Sequence, residues 1–508
     1  MTRERDDLAA SGYAWEIADA PVLHDALNLA DLEHALELRE IGALTDTDAV
    51  TLIRGLLMMH DIPCEEVGYD PSHGELVTSR EAYLADRIGD VAGYLRAGRT
   101  RREAVRTAFR IVVRRQALDL VVDACELATT VCDRSEEHAR TLMPDYTYLQ
   151  PAQASTFGHY LLSFADPVLR DAQRLMAEYA NVNQSPAGSG AANGSPLIKD
   201  REGAAEALGF SAPAEHIRDA MWQTDPFSHV LFLATSLVLA EDRLAEDLEI
   251  FASREFDFVA LADNVVRPSV LMPQKRNPYA LTVVRGSAGI MIGRLTGQLA
   301  LAKAPSARSD TFIYAYGEVP RALDLAGRVT RLLGSVIAGL DGADRISLVG
   351  HSLGNIVVRR WMAEAPAADL DRIERMVMLG APNQGSDLAR RVSQVWLLSK
   401  LSTGAARDLV LDWPRIARNL AVPPCPFGII AGGAGDAEGY SPMLEGDDDS
   451  VVRVDETRLD GSDDFLLLPV RHAFMMRDPA VQEATASFLK GGRFGAPAAD
   501  PTAAAGER

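Results

Sequence analysis

The segment PSVLMPQKRNP, Pro268 to Pro278, sets a hydroxyl, an ammonium and an amide close together, with Ser269 six residues before Lys275 and eight before Asn277. Such a group suits removal of a proton beside a carboxylate. The base must be an ionised oxygen, and the carbanion that forms spreads charge onto carboxylate oxygens that need fixed donors. Composition alone weighs against this, because a lone serine and lysine in a loop are most often merely solvated. A second serine offers different chemistry. LVGHSLGN, Leu348 to Asn355, is GxSxG between an apolar run and the helical stretch IVVRRWMAEA. In that setting the motif forms a nucleophile elbow, a strained turn that lifts Ser352 above the end of a sheet. Downstream, Asp449 in GDDDSVVRVDETRL and His472 in LLLPVRHAFMMRDP complete the order Ser, Asp, His. Asp447 or Asp448 could serve in place of Asp449.

The elements that must carry these residues change character along the chain. Proline is absent between Pro71 and Pro144 and again between Pro226 and Pro268, which leaves room for helices several times the usual length. From Thr107 to Cys132, Phe109, Val112, Val113, Leu118, Val121, Val122, Cys125 and Leu127 recur at three- and four-residue spacings, one face of a long helix. VLFLATSLVLAEDRLAEDLEIFA is apolar nearly all round at its start and amphipathic later, as suits the middle of a bundle. After Asp341 the pattern differs. ISLVG, RMVMLG and FGIIAGG are short apolar runs ending in glycine, the first two followed by a turn and a helical segment, which reads as a parallel sheet. The expected fold is therefore mainly α, a long-helix bundle followed by a parallel α/β unit. The expected domains are residues 1–100 and 101–341, both helical, then 342–493, with a disordered tail at 494–508.

Length and charge bound the rest. A chain of 508 residues is too long for one ordinary core. The formal charge of −21 argues against a nucleic-acid or anionic-membrane partner, so an anionic substrate would need a local basic pocket. The cysteines Cys64, Cys125, Cys132 and Cys425 match no zinc or CxxC spacing and read as free, buried thiols of a reducing compartment. No signal peptide or membrane span is legible, and a cytoplasmic protein without metal or cofactor is expected.

PSVLMPQKRNP resembles the GSSxMPxKxNP signature of the fumarase, aspartase and argininosuccinate lyase superfamily. Three further segments resemble argininosuccinate lyases in the same order. MPDYTYLQPAQASTFGHYLLSFADPVLRDAQRL is similar to the region around YTHLQxAQPxTFGHHL. SPAGSGAANGSPLIKDRE is similar to SPLGxGAxxGxxxxxDRE. IGDVAGYLRAGRTRREAVRTAFR is similar to the stretch ending GKLHxGRSRNDQVATxxR. The resemblance spans roughly residues 75–340. It implies an eliminating lyase of a kind placed in arginine biosynthesis, a homotetramer whose central bundle draws each active site from three subunits, and release of fumarate or a fumarate-like product. It implies Ser269 as base, Lys275 and Asn277 as contacts to the carboxylate and carbanion, and Thr100, Arg101 and Thr147 as substrate-binding residues. The basic pocket would then hold Arg101, Arg102, Lys275 and Arg276.

The departures bear on substrate. Tyr148 stands where argininosuccinate lyases carry a histidine assigned as general acid; it either donates a proton or orders substrate and water. Arg102 replaces the asparagine of GRSRND. Pro268 and Val270 replace a glycine and a serine. The family's glutamine and lysine contacts to the arginine moiety align with Ala315 and Glu318 in FIYAYGEVPRAL. These changes leave the elimination plausible and the leaving group open. From about residue 342 the chain resembles lipase-like α/β-hydrolases instead, with further matches at MLGAPNQGS and ASFLKGGRF. The first strands of that fold and its oxyanion loop are not found before the elbow. The alternative activity is a serine esterase through Ser352, Asp449 and His472. A natural fusion, a recombination product and an artificial junction near Ile337 to Arg345 all remain open.

Overall fold

The structure is a computed structural model that describes residues 7–272, 274–303, 310–342, 346–393 and 413–495. The chain divides into two compact units, Met1–Gly342 and Ala343–Arg508.

The first unit is helical. Its small part comprises α1 (Ala20–Glu40), α2 (Asp46–His60) and α3 (Leu76–Ile88), packed around Leu38, Leu52, Leu56, Met59, Leu84 and Leu95. The bundle follows: α4 (Arg101–Glu137), α5 (Ala165–Val182), α6 (Asp225–Phe251), α7 (Tyr279–Ala302) and α8 (Ala315–Ala338). At 37 residues α4 is about 55 Å long. Thr100 caps it by accepting the Glu103 N–H, and His138 ends it. The apolar face expected between Thr107 and Cys132 holds in part: Phe109, Val113 and Leu127 are buried, whereas Val122 and Cys125 are exposed and Ala117, Leu120, Ala124 and Val131 line the buried side. From Glu103 to Ile111 every residue of α4 is buried, because neighbours cover it on all sides. Three arginines four residues apart lie along α4. Arg106 sits over the Phe312 ring at 4.3 Å, Arg110 over Phe227 at 5.1 Å and Arg114 over Phe210 at 4.1 Å. Ring faces attract the guanidinium charge, which gives buried N–H groups of Arg106 and Arg110 that lack hydrogen-bond partners somewhere to point. Burial, with the Arg106 charge beside it, pushes Arg110 down to about 10.

A hairpin interrupts the helical text: β1 (Leu142–Thr147) pairs antiparallel with β2 (Gln150–Thr156). A helical reading of this region does not anticipate it. Pro144 and Pro151 bar helix there, and the ring of Tyr146 anchors the hairpin against Phe256 and Phe258 at 5.5 and 5.9 Å. A shorter hairpin joins β3 (Arg267–Pro268) to β4 (Arg276–Asn277).

The second unit holds β5 (Ile346–His351), α9 (Leu353–Met362), β6 (Ile373–Leu379), β7 (Phe427–Gly432), β8 (Asp464–Leu468) and α10 (Pro479–Gly491). The strands form a parallel sheet in the order β8-β7-β6-β5, with β5 at the edge. Alternation along β6 explains why its run is uniformly apolar. Val377 and Leu379 pack with Phe488 on one face, and Met376 and Met378 pack with Met362 on the other.

Among the described residues no helix is long and apolar enough to cross a membrane, and no group of acidic, histidine and cysteine side chains has the geometry of a metal site.

Candidate active sites

The Ser269 loop is closed by its own backbone. Ser269 N–H donates to the Lys275 carbonyl at 3.0 Å, Lys275 N–H donates to that of Met272 at 2.8 Å, and Asn277 Nδ2 donates to the Arg267 carbonyl at 3.0 Å. Within this ring Ser269 Oγ accepts the Met272 N–H at 3.1 Å. A fixed N–H donor favours the ionised form of the oxygen it reaches. Lys275 is exposed, and Val270 and Leu271 are almost wholly so. One short hairpin thus carries Ser269, Lys275 and Asn277, with Lys275 exposed and the other two half-buried.

Thr147 and Tyr148 lie at the tip of the β1–β2 hairpin. Tyr148 and Leu149 both take φ 55°, the left-handed region that a two-residue type I′ turn demands and that asparagine and glycine normally fill. Strain of this kind costs on the order of 1–3 kcal/mol per residue and tends to gather at functional sites. Tyr148 is 99% exposed.

Thr100, Arg101 and Arg102 open α4. Thr100 Oγ1 donates to the Gly190 carbonyl at 3.1 Å, tying the helix start to the glycine-rich segment 186–195. Arg101 reaches Glu75 at 2.7 Å, and Arg102 reaches Glu16 and Asp310, both at 2.9 Å. Arg276 is likewise held by Asp263 at 2.7 Å. Of the four cations expected to form a basic pocket, Arg101, Arg102 and Arg276 are thus paired with acids of other segments within the chain. No hydrogen bond or ion pair among the described residues joins the Ser269 loop, the hairpin tip and the α4 start. Ala315 is fully buried in α8, while Glu318 pairs with Arg321 at 3.0 Å and Arg294 at 3.6 Å.

The second unit presents Ser352 between β5 and α9 with φ 53° and ψ −128°, the strained backbone of an elbow. Its N–H donates to the Leu379 carbonyl at 2.9 Å. Three consecutive acids divide the loops between them. Asp447 accepts the N–H groups of Ala434 and Gly435, and Asp448 those of Ser441 and Ser450. Asp449, fully buried, accepts those of Val451 and Val452 and lies 2.6 Å from His472 Nδ1. Geometry thus selects Asp449 as the partner of His472. The His351 ring lies 4.7 Å from that of His472, and its Nε2 is 3.1 Å from the His472 carbonyl oxygen. Burial, then the neighbouring His472, lowers the His351 pKa. No hydrogen bond from Ser352 to His472 is formed among the described residues.

Comparison with known proteins bears on the helical unit. Residues 64–293 match the family model described as lyase. The argininosuccinate lyase of Corynebacterium glutamicum (strain R) is 37% identical over 294 residues, 58% of this chain and 60% of that protein. The argininosuccinate lyase of Methanoculleus marisnigri is 36% identical over 54% of this chain and 56% of its own length. The chain thus spans about three-fifths of the length of these curated relatives. Among solved structures, EDDS lyase in complex with formate superposes with a TM-score of 0.56 at 25% identity, covering 64% of each chain. Class II fumarase from Schistosoma mansoni superposes with a TM-score of 0.56 at 13% identity, over 63% of this chain and 76% of its own, a likeness of fold.

One buried group at the first site went unread in the sequence. Glu103 accepts the Gly188 N–H on Oε1 and the Gly190 N–H on Oε2, each at 2.7 Å. The T-x-x-E pattern from Thr100 to Glu103 signals a helix start in which the glutamate turns back to the cap. Here the carboxylate is drawn to the glycine-rich segment instead, which only the tertiary fold brings near.

Proposed function

We propose that the helical unit is an eliminating lyase that removes a proton through Ser269 and releases fumarate or a fumarate-like product from a small anionic substrate. The observation that carries the reading is the Ser269 loop, where an N–H donor holds Oγ beside an exposed lysine and an amide. Ser269, ionised, takes the proton next to a substrate carboxylate. Lys275 and the loop's donors meet the charge that moves onto the carboxylate oxygens. Thr100, Arg101 and Thr147 bind substrate, and Tyr148 either donates the proton to the leaving group or orders water. The leaving group is bound through nitrogen or oxygen. The likeness to argininosuccinate lyases and to EDDS lyase supports a succinyl adduct. A buried Ala315 and a Glu318 already paired with Arg294 and Arg321 argue against an arginine leaving group held as in argininosuccinate lyases. Ser269→Ala is expected to lower fumarate formation, followed by ultraviolet absorbance over a panel of succinyl adducts, by about 10²–10⁴-fold, the usual contribution of a positioned base. Full activity in that variant would sink the assignment.

A second reading applies to the other unit. The elbow backbone at Ser352 and the buried Asp449–His472 pair support a serine hydrolase, with the Leu353 N–H as one oxyanion donor. A groove of about 340 Å³ lined by Val349, His351, Leu379, Met476 and Leu489 lies beside His351 and is apolar enough for an acyl chain. The second oxyanion donor ordinarily comes from a loop preceding the elbow strand. Losing one such donor typically costs about 10²–10³ in rate. Slow labelling of Ser352 by a fluorophosphonate is expected; rapid labelling that disappears in Ser352→Ala would make this the leading activity.

A further inference from the structure

We propose that Glu103 is a positioning residue of the elimination site, whose carboxylate clamps the glycine-rich segment 186–195 onto the start of α4 and so fixes where Thr100 and Arg101 stand. The proposal rests on the lyase reading above.

Gly188 and Gly190 are both buried, and without Glu103 their N–H groups would be orphaned donors. The latch also runs in the other direction. Thr100 Oγ1 donates to the Gly190 carbonyl at 3.1 Å and Ser195 Oγ to the Gly98 carbonyl at 2.6 Å. Gly98 has no room for a side chain against Ser195, and Gly190 has none within the segment's own turn. A Cβ at Gly98 would lie 2.7 Å from Ser195 Oγ, and one at Gly190 would lie 2.6 Å from the Gly194 carbonyl oxygen, both at positive φ. On its far side the segment is held by Arg201, which donates to the carbonyls of Ala187 and Ala214 at 3.3 and 2.8 Å.

Glu103 is 1% exposed, so it acts through its neighbours rather than on substrate. It is the third residue of α4, directly after Arg102, and Thr100 is the cap. Any shift of the segment against the helix moves Thr100 through the Gly190 bond and Arg101 with it. Displacement of about 1 Å can cost roughly 10²-fold in rate. Arg101 remains half exposed beyond its contact with Glu75, free to take an anionic group.

The test compares Glu103→Gln with Glu103→Asp in the full chain. At pH 8.5, above the value of about 7 to which burial raises Glu103, the wild-type carboxylate is charged; glutamine keeps the length but offers one acceptor and no charge. Aspartate keeps two charged oxygens. With the succinyl adduct that the wild-type protein turns over, Glu103→Gln is expected to raise KM about tenfold, the worth of one charge-assisted hydrogen bond, with a smaller change in kcat; Glu103→Asp should recover most of the loss. A wild-type KM in Glu103→Gln, or an aspartate variant no better than the glutamine one, overturns the proposal. Hydrogen exchange of peptides covering 186–195 supplies a readout independent of activity. It should quicken about tenfold in Glu103→Gln, and unchanged exchange overturns the clamp. If the wild-type protein forms no fumarate from any succinyl adduct, the lyase reading fails and exchange alone judges the clamp. Should neither Glu103 variant fold, Ser195→Ala removes the opposing bond and must raise both KM and exchange several-fold; no change in either refutes the latch.

Discussion

The Ser269 hydroxyl accepts the Met272 N–H, and the backbone at Ser352 is strained; the residues around each bear on the chemistry proposed for it. Around Ser269, substrate choice depends on what the neighbouring segments lack. With Ala315 buried and Glu318 engaged by Arg294 and Arg321, argininosuccinate loses contacts worth roughly 1–3 kcal/mol each. Its catalytic efficiency is expected to fall well below that of an ordinary argininosuccinate lyase, and steady-state kinetics matching such an enzyme would refute this. Around Ser352, Asp449 joins three donors in a fully buried position. Removing the carboxylate leaves buried donors without a partner, at roughly 1–3 kcal/mol each, so Asp449→Ala should destabilise the second unit in urea melts. The loop that carries Ser269, Lys275 and Asn277 and the elbow at Ser352 are legible in the sequence because each is set by local spacing. The choice of Asp449 among three adjacent acids is not, because it is made by where residue 472 returns in space. Glu103 is hidden for the same reason: its partners lie 85 and 87 residues further along the chain.

Elements differ in how much of themselves they display. Long helices and parallel strands announce themselves through period, and α4, α6, β5, β6 and β7 lie where the apolar patterns place them. The β1–β2 hairpin does not, since its turn residues are Tyr148 and Leu149 rather than asparagine and glycine. Inside the bundle one polar pair has a further consequence. Glu241 on α6 is 1% exposed; its Oε1 lies 2.6 Å from Thr330 Oγ1, which lies 2.9 Å from the Ala326 carbonyl oxygen. A hydroxyl has one hydrogen, so both contacts are satisfied when a protonated Glu241 donates to Thr330 and Thr330 donates to Ala326. Burial raises Glu241 to about 8, against an ordinary 4.5. A folded-state pKa above the unfolded one means stability that is full below about 4.5 and is lost as pH rises to about 8, at about 1.4 kcal/mol per pH unit. Glu33, Glu37 and Glu103, each raised to about 7 chiefly by burial, add slopes of the same sign. Glu241→Gln should remove one proton's share, matching the wild type near pH 5 and exceeding it in stability at pH 9. Parallel stability curves in urea melts from pH 5 to 9 would show that Glu241 is not protonated in the bundle.

At the scale of the whole molecule, no hydrogen bond or ion pair among the described residues joins the three segments proposed to bind and turn over substrate, and on the proposed lyase reading further copies complete the site. A face as apolar as that of α6 around Leu233 to Leu248 is a candidate for burial on assembly. Leu233, Leu237, Leu244 and Leu248 are instead already inside the chain's own core, because a helix apolar nearly all round turns its densest side inward. What it leaves outside is Phe232 and Leu239, and α7 adds Ile290, Ile292 and Leu299, all exposed. Water-exposed apolar side chains gathered on two adjacent helices favour association at about 25 cal/mol per Å² buried. Charge opposes it: each chain carries −21, and like charges repel over a Debye length of about 10 Å at 0.1 M salt and about 30 Å at 0.01 M. Assembly should therefore tighten as salt rises, the reverse of an interface held by ion pairs. Light scattering is expected to show a homo-oligomer, most simply a tetramer, at 0.1 M salt and above, dissociating on dilution more readily at 0.01 M. Lyase activity per chain should follow the oligomer fraction through that dilution, and Phe232→Glu should shift both curves together toward dissociation. A monomer that retains full activity would show that one chain completes the site, and would overturn this account of the assembly.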